Sequence, residues 1–148
     1  MKSILSTALA MLLMFCGLGF SQSEEANFDQ FIGDWTGEGR FYNVNFSDEL
    51  GTIRFTLRIT PDMEITGTIG DAQLEDAEIE VDDWNNGYRI RGSVSGRISP
   101  YSDFEKRRIT LLLKAVRDNA TIGDFHLANN FMFDLTMRPG EIRLRRNP

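Results

Sequence analysis

Residues 51–69 read GTIRFTLRITPDMEITGTI. Ile53, Phe55, Leu57 and Ile59 alternate with Thr52, Arg54, Thr56 and Arg58, the period of two expected of a strand with one buried face. Thr60-Pro61-Asp62 breaks the pattern with turn-forming residues, and Met63–Ile69 resumes it. A loop over residues 61–63 sets Ile59 against Ile65, Leu57 against Gly67 and Phe55 against Ile69. A two-residue loop would oppose Ile59 with Glu64 and mix the faces. Because a one-residue slip turns a whole apolar set outward, the first register is the expected one. The stretch predicts an antiparallel hairpin with one face to bury.

The same pattern recurs along the chain. AEIEVDDW (77–84) and YRIRGSVSGRI (88–98) flank Asn85-Asn86-Gly87, and Asn-Gly is a strong hairpin signal. A turn on Asn86-Gly87 pairs Val81 with Gly92, Ile79 with Val94 and Ala77 with Gly96. It sets Asp82 against Arg91 and Trp84 against Arg89 on the outer face, where the indole would pack by cation–π contact. Arg108–Ala115 supplies another strand, with Ile109, Leu111 and Leu113 on one side. FMFDLTM (131–137), Arg138-Pro139-Gly140 and EIRLRR (141–146) read as a last hairpin, pairing Met137 with Ile142 and Leu135 with Leu144. An internal echo links TIGDAQL (68–74) and TIGDFHL (121–127). In both, a bulge or corner at the glycine is needed to keep the apolar residues on one face. Helix is confined to Ser23–Gly33, where Ser23 caps, Glu24 and Glu25 favour the start and Gly33 ends it.

Consecutive hairpins with one apolar face must bury that face. An up-and-down barrel does so and removes the sheet edges. The expectation is therefore all-β: a single up-and-down antiparallel barrel of eight to ten strands with a short N-terminal helix.

The first 21 residues stand apart. Met1-Lys2 is basic, Ile4–Phe20 is mostly apolar and uncharged, and Ser21-Gln22-Ser23-Glu24-Glu25 turns abruptly polar. This is the layout of a secretory signal peptide, with Gly19 and Ser21 placed for cleavage after Ser21. The expected domains are a signal peptide over 1–21 and a barrel over 22–148, and the expected location is periplasmic or extracellular. A lipoprotein attached through Cys16, which follows Leu13-Met14-Phe15, is the alternative. Cleavage leaves 127 residues, enough for one self-sufficient core. It removes the only cysteine, and with it disulfide and thiolate chemistry. It leaves 15 basic against 22 acidic side chains, a net charge of −7 that disfavours nucleic acid and anionic membranes.

Trp35, Gly37, Gly39 and Phe41 share a face of the first strand. The stretch Gly33-Asp34-Trp35 resembles the G-x-W that opens the first strand in the calycin superfamily, the lipocalins and fatty-acid-binding proteins. The longer Gly33-Asp34-Trp35-Thr36-Gly37-Glu38-Gly39 resembles nitrobindin-type and related bacterial lipocalin-like barrels. The resemblance implies that Trp35 packs at the closed end under an arginine from near the C-terminus. Arg146, on the face of Ile142 and Leu144, is that arginine. The arrangement requires an even strand count.

The resemblance also implies a small apolar ligand in the barrel. Inward candidates to line its site are Phe55, Leu57, Ile65, Ile79, Val94, Leu111, Phe125, Phe133 and Leu135. Gly67, Gly92 and Gly96 on the same face leave space for it. The competing reading is that these side chains only fill the core, since barrels of about eight strands do either. Haem would need His126, the only histidine, but alternation with Phe125 and Leu127 turns it outward beside Met132. A histidine-rich zinc site is excluded. Catalysis lacks a histidine pair, a cysteine, a G-x-S-x-G and a phosphate loop, so no enzyme activity and no cofactor are expected. The functions left open are an exported binder of a small apolar molecule, a filled barrel acting as a structural or interaction module of the cell envelope, and an unrecognised enzyme.

Overall fold

Alternating segments of this chain close on one another because each has a single apolar face. The computed structural model describes residues 26–42, 48–98, 106–128 and 138–148. It contains eight strands: β1 Gly33–Tyr42, β2 Glu49–Ile59, β3 Ile65–Ile69, β4 Ala72–Asp82, β5 Gly87–Ser95, β6 Lys106–Leu113, β7 Ala120–Ala128 and β8 Arg138–Arg146. Each pairs antiparallel with its sequence neighbour, and β8 pairs with β1 to close the barrel. The even count brings Arg146 opposite Trp35. The expected short N-terminal helix is a single 3-10 turn over Asp29–Phe31, and Gly33 opens β1 with φ +132°. So short a helix has no stability of its own and holds by what it packs against.

The hairpin over β2 and β3 has the expected register, with Ile59, Leu57 and Phe55 opposite Ile65, Gly67 and Ile69. Its outer face is tied by the Thr56 and Thr68 hydroxyls, 2.6 Å apart.

Three expected details are corrected. In β4–β5, Val81 pairs with Tyr88, Ile79 with Ile90 and Leu74 with Val94, not with the partners a two-residue turn would give. Asp82 pairs with Gly87, so four residues, Asp83–Asn86, make the turn. Asn86 does take the left-handed conformation (φ 48°), yet Gly87 already belongs to the strand. A bulge between Glu75 and Glu78, with Asp76 at φ 50°, then turns Leu74 and Ala77 to the same side. Trp84 lies in the turn, and Arg89 engages Glu80 and Asp82 in place of the indole.

The echo is a likeness of sequence only. Gly70-Asp71 makes a two-residue turn between β3 and β4, with Gly70 at φ 60°. The second copy runs straight through β7, burying Thr121 and leaving Ile122 53% exposed. Alternation is not broken there because Thr121, and not Ile122, takes the inward place.

The last hairpin is also corrected. Both edges of β8 are taken: Leu144 lies between Gly37 and Thr121, and Ile142 between Gly39 and Gly123. Arg138-Pro139-Gly140 opens β8 in place of making a turn. Residues 131–137, with Phe133 and Leu135, lie outside the described residues, as does the segment 1–21 with Cys16.

Candidate functional site: the barrel interior and its closed end

The end of the barrel where β1 begins is sealed by the 3-10 turn that precedes β1 and by the last residue of β8. Trp35 is buried, and its indole N–H donates to the Phe31 carbonyl at 2.7 Å. The Arg146 guanidinium carbon lies 4.9 Å from the indole centroid, and the same side chain donates to the Gln30 carbonyl. Gln30 donates to the Tyr88 hydroxyl and accepts the Val116 N–H, each at 2.7 Å. Phe31 packs edge-on against Tyr88, with centroids 4.8 Å apart. The 3-10 turn is thus a plug held by β1, β5, β8 and the β6–β7 connection.

The interior above the plug is occupied by side chains. Phe55, Leu57, Ile65, Val94, Leu111 and Phe125 are all buried in one apolar cluster. Ile79 packs against that cluster but is only partly buried. Phe55 and Phe125 meet edge to face, with centroids 5.2 Å apart. Their rings fill the space that Gly39 leaves: a Cβ there would lie 2.6 Å from Phe125 and 2.7 Å from Phe55. Gly67 leaves no space at all. At φ +153° its Cβ would point into the neighbouring strand, 1.9 Å from the Thr56 carbonyl oxygen. Gly92 is covered by Leu74 and Ala77, and Gly96 lies against Ala72.

Thr121 and Arg107 are inward polar residues that were missed from the sequence. Arg107, 1% exposed, precedes Ile109, Leu111 and Leu113 on the inward face of β6 and pairs across to Val94. The signal was present, since the alternation of Ile109 and Leu111 extends back one step to Arg107. His126 is exposed and opposite Thr110 on the outer face, as alternation requires.

A groove of about 1420 Å³ runs along the plugged end, outside the apolar cluster. Its walls come from the N-terminal segment (Asn27, Gln30), the β4–β5 turn (Asp83, Asn86) and the β6–β7 connection (Lys114, Arg117). The turn is firmly built. Asp82, 1% exposed, accepts hydrogen bonds from the Asn85 amide and from Arg89, the latter at 2.7 Å. The Asn85 bond, the Arg89 charge and the N–H groups of Trp84 and Asn85 hold the Asp82 carboxyl below the usual range, against the opposing cost of burial. Trp84, next to Asp83, is 94% exposed. Val81 at one wall is 41% exposed. A smaller hollow of about 320 Å³ on the outer face is bordered by Glu38, Arg40, Glu49 and Glu141. It is the surface of a charge ladder in which Arg143 pulls the Glu141 carboxyl below its usual value, as Arg58 does for Asp34.

Among the described residues no helix is long and apolar enough to cross a membrane. The closed eight-stranded antiparallel barrel is consistent with a calycin-like fold. Set against known proteins, the chain matches no family model, no curated protein and no solved structure.

Proposed function

We propose that this chain is an exported, lipocalin-like barrel whose interior is a packed core and whose work is done on its surface. It serves as a binding or scaffolding module of the cell envelope and has no catalytic activity. The observation that carries this reading is the occupancy of the interior, where the Phe55 and Phe125 rings stand in the space beside Gly39. A barrel of about eight strands is narrow enough to be filled in this way. The basic-apolar-polar order of residues 1–25 supports export. Native mass spectrometry of residues 22–148, with the dye ANS added in parallel, tests it. The expected result is a bare protein mass and no dye enhancement. A co-purified apolar molecule would overturn it.

A further inference from the structure

We infer that the plugged end of the barrel is the surface through which two copies of this chain pair about a two-fold axis. The inference rests on the reading that this barrel acts through its surface. Three large apolar side chains are exposed among the described residues: Val81 at 41%, Ile122 at 53% and Trp84 at 94%. All three lie at this end of the barrel. Val81 and Ile122 line the groove, with Ala26, Ala115 and Tyr88 adding apolar surface. Trp84 does not line it, and stands in the turn whose Asp83 and Asn86 do. Apolar surface gathered at one place on an otherwise charged barrel marks a contact with another protein. The turn that forms one wall is already rigid. Asp82 grips the Trp84 and Asn85 N–H groups, the Asn85 amide and Arg89. Lys114 reaches across to donate to the Asn85 carbonyl. Such a wall loses little freedom on docking.

The charges select the partner. Elsewhere the outer faces of the strands carry ion pairs within the chain, such as Arg58 with Asp34 and Arg143 with Glu141. Asp82 is likewise paired with Arg89. Asp83 and Arg117 line the groove, are exposed, and form no ion pair among the described residues. They stand on different walls. Asp83 belongs to the β4–β5 side with Val81, and Arg117 to the β6–β7 side with Ile122. A two-fold axis through such a surface exchanges the walls. Asp83 of each copy then faces Arg117 of the other, and Val81 faces Ile122, in two identical contacts. The surface is thus complementary to itself in charge and in apolar character. A nucleic acid or an anionic membrane would meet the Asp83 wall, on a chain with more acidic than basic side chains.

The test is analytical ultracentrifugation of residues 22–148 across the micromolar range, with native mass spectrometry of the same sample. The expected result is a reversible equilibrium between one chain and two. Asp83→Arg or Arg117→Glu sets like charges together in both contacts and should weaken the dimer by about a hundredfold or more. An equimolar mixture of these two variants should associate again, because each contact of the mixed dimer joins opposite charges. Ile122→Lys should weaken the dimer by about tenfold or more. All three side chains are exposed, so the circular dichroism of each variant should match that of the wild type. A single-chain mass at every concentration would overturn the proposal. So would a dimer indifferent to the charge reversals, or a mixture that stays monomeric while each variant keeps the wild-type circular dichroism. Should a charge variant misfold, Ile122→Lys decides: a folded variant with an undiminished dimer overturns the proposal. A bare single-chain mass leaves the packed-core reading standing, whereas an apolar adduct in the barrel removes that reading whatever the state of association.

Discussion

Trp35 and Arg146 form a cross-strand pair whose two members are 111 positions apart, and between them they close one end of the barrel. Replacing Arg146 with alanine removes the guanidinium from the indole face and from the Gln30 carbonyl. We expect a loss of about 1–3 kcal/mol, read as a lower urea midpoint at unchanged slope. Arg146→Lys should recover only part of this, because an ammonium cannot stack as a plane. Gly39 tests the interior in the opposite sense. A methyl group there meets two aromatic rings closer than van der Waals contact, so Gly39→Ala should cost about 1–3 kcal/mol by overpacking. An unchanged midpoint would mean that the rings have room to withdraw and that the interior is not filled. At this scale the sequence was informative wherever alternation was strict. Trp35 and Phe125 face inward, and His126 faces outward, because a pleat leaves no other choice.

The β4–β5 hairpin is the element in which local signals misled. Asn86-Gly87 marks a turn correctly, but the carboxylate of Asp82 recruits the next N–H groups and lengthens it to four residues. The bulge near Asp76 then repairs the register further along the strand. Both depend on hydrogen bonds to residues beyond the two-residue turn, which periodicity cannot report. The carboxyl of Asp82 is held below its unfolded value, so its contribution to stability is complete above the ordinary aspartate range, near pH ~4. That contribution is lost as the pH falls through the lower folded value. Asp82→Asn should therefore lower the melting temperature at neutral pH and flatten its decline in acid. Equal acid sensitivity in wild type and variant would contradict this. The same element carries the second tryptophan. Trp84→Phe should leave an emission that is blue-shifted and resistant to acrylamide, since Trp35 alone then emits from the core.

Closure is a property of the whole molecule. Strand β8 supplies two ladders at once, to β1 and to β7, so it has no free edge. Truncation after Ala128 should open the barrel, expose the inward faces of β1 and β7, and leave two unpaired edges. The expected readouts are loss of a cooperative thermal transition and strong ANS binding. A truncated chain that still melted cooperatively would show that seven strands close without the eighth. The groove at the plugged end also belongs to this scale, because it is assembled from the N-terminal segment, the β4–β5 turn and the β6–β7 connection, which are remote in sequence.

The sequence by itself determined the class of fold, the inward face of most strands and the register of β2 against β3. Each follows from a period of two combined with one buried face, and a wrong choice at any of them would expose a whole row of apolar side chains. The pairing of Trp35 with Arg146 came instead from the resemblance of Gly33-Asp34-Trp35 to the calycin motif. Tertiary structure decided the number of strands, the neighbours of β8 and the fate of the inward glycines. Those depend on which strand lies alongside and which rings reach across, and no local pattern carries that information. Gly67 illustrates the difference: along the chain it reads as an empty place in the core, and in the barrel it is where one strand presses against the carbonyl of the next.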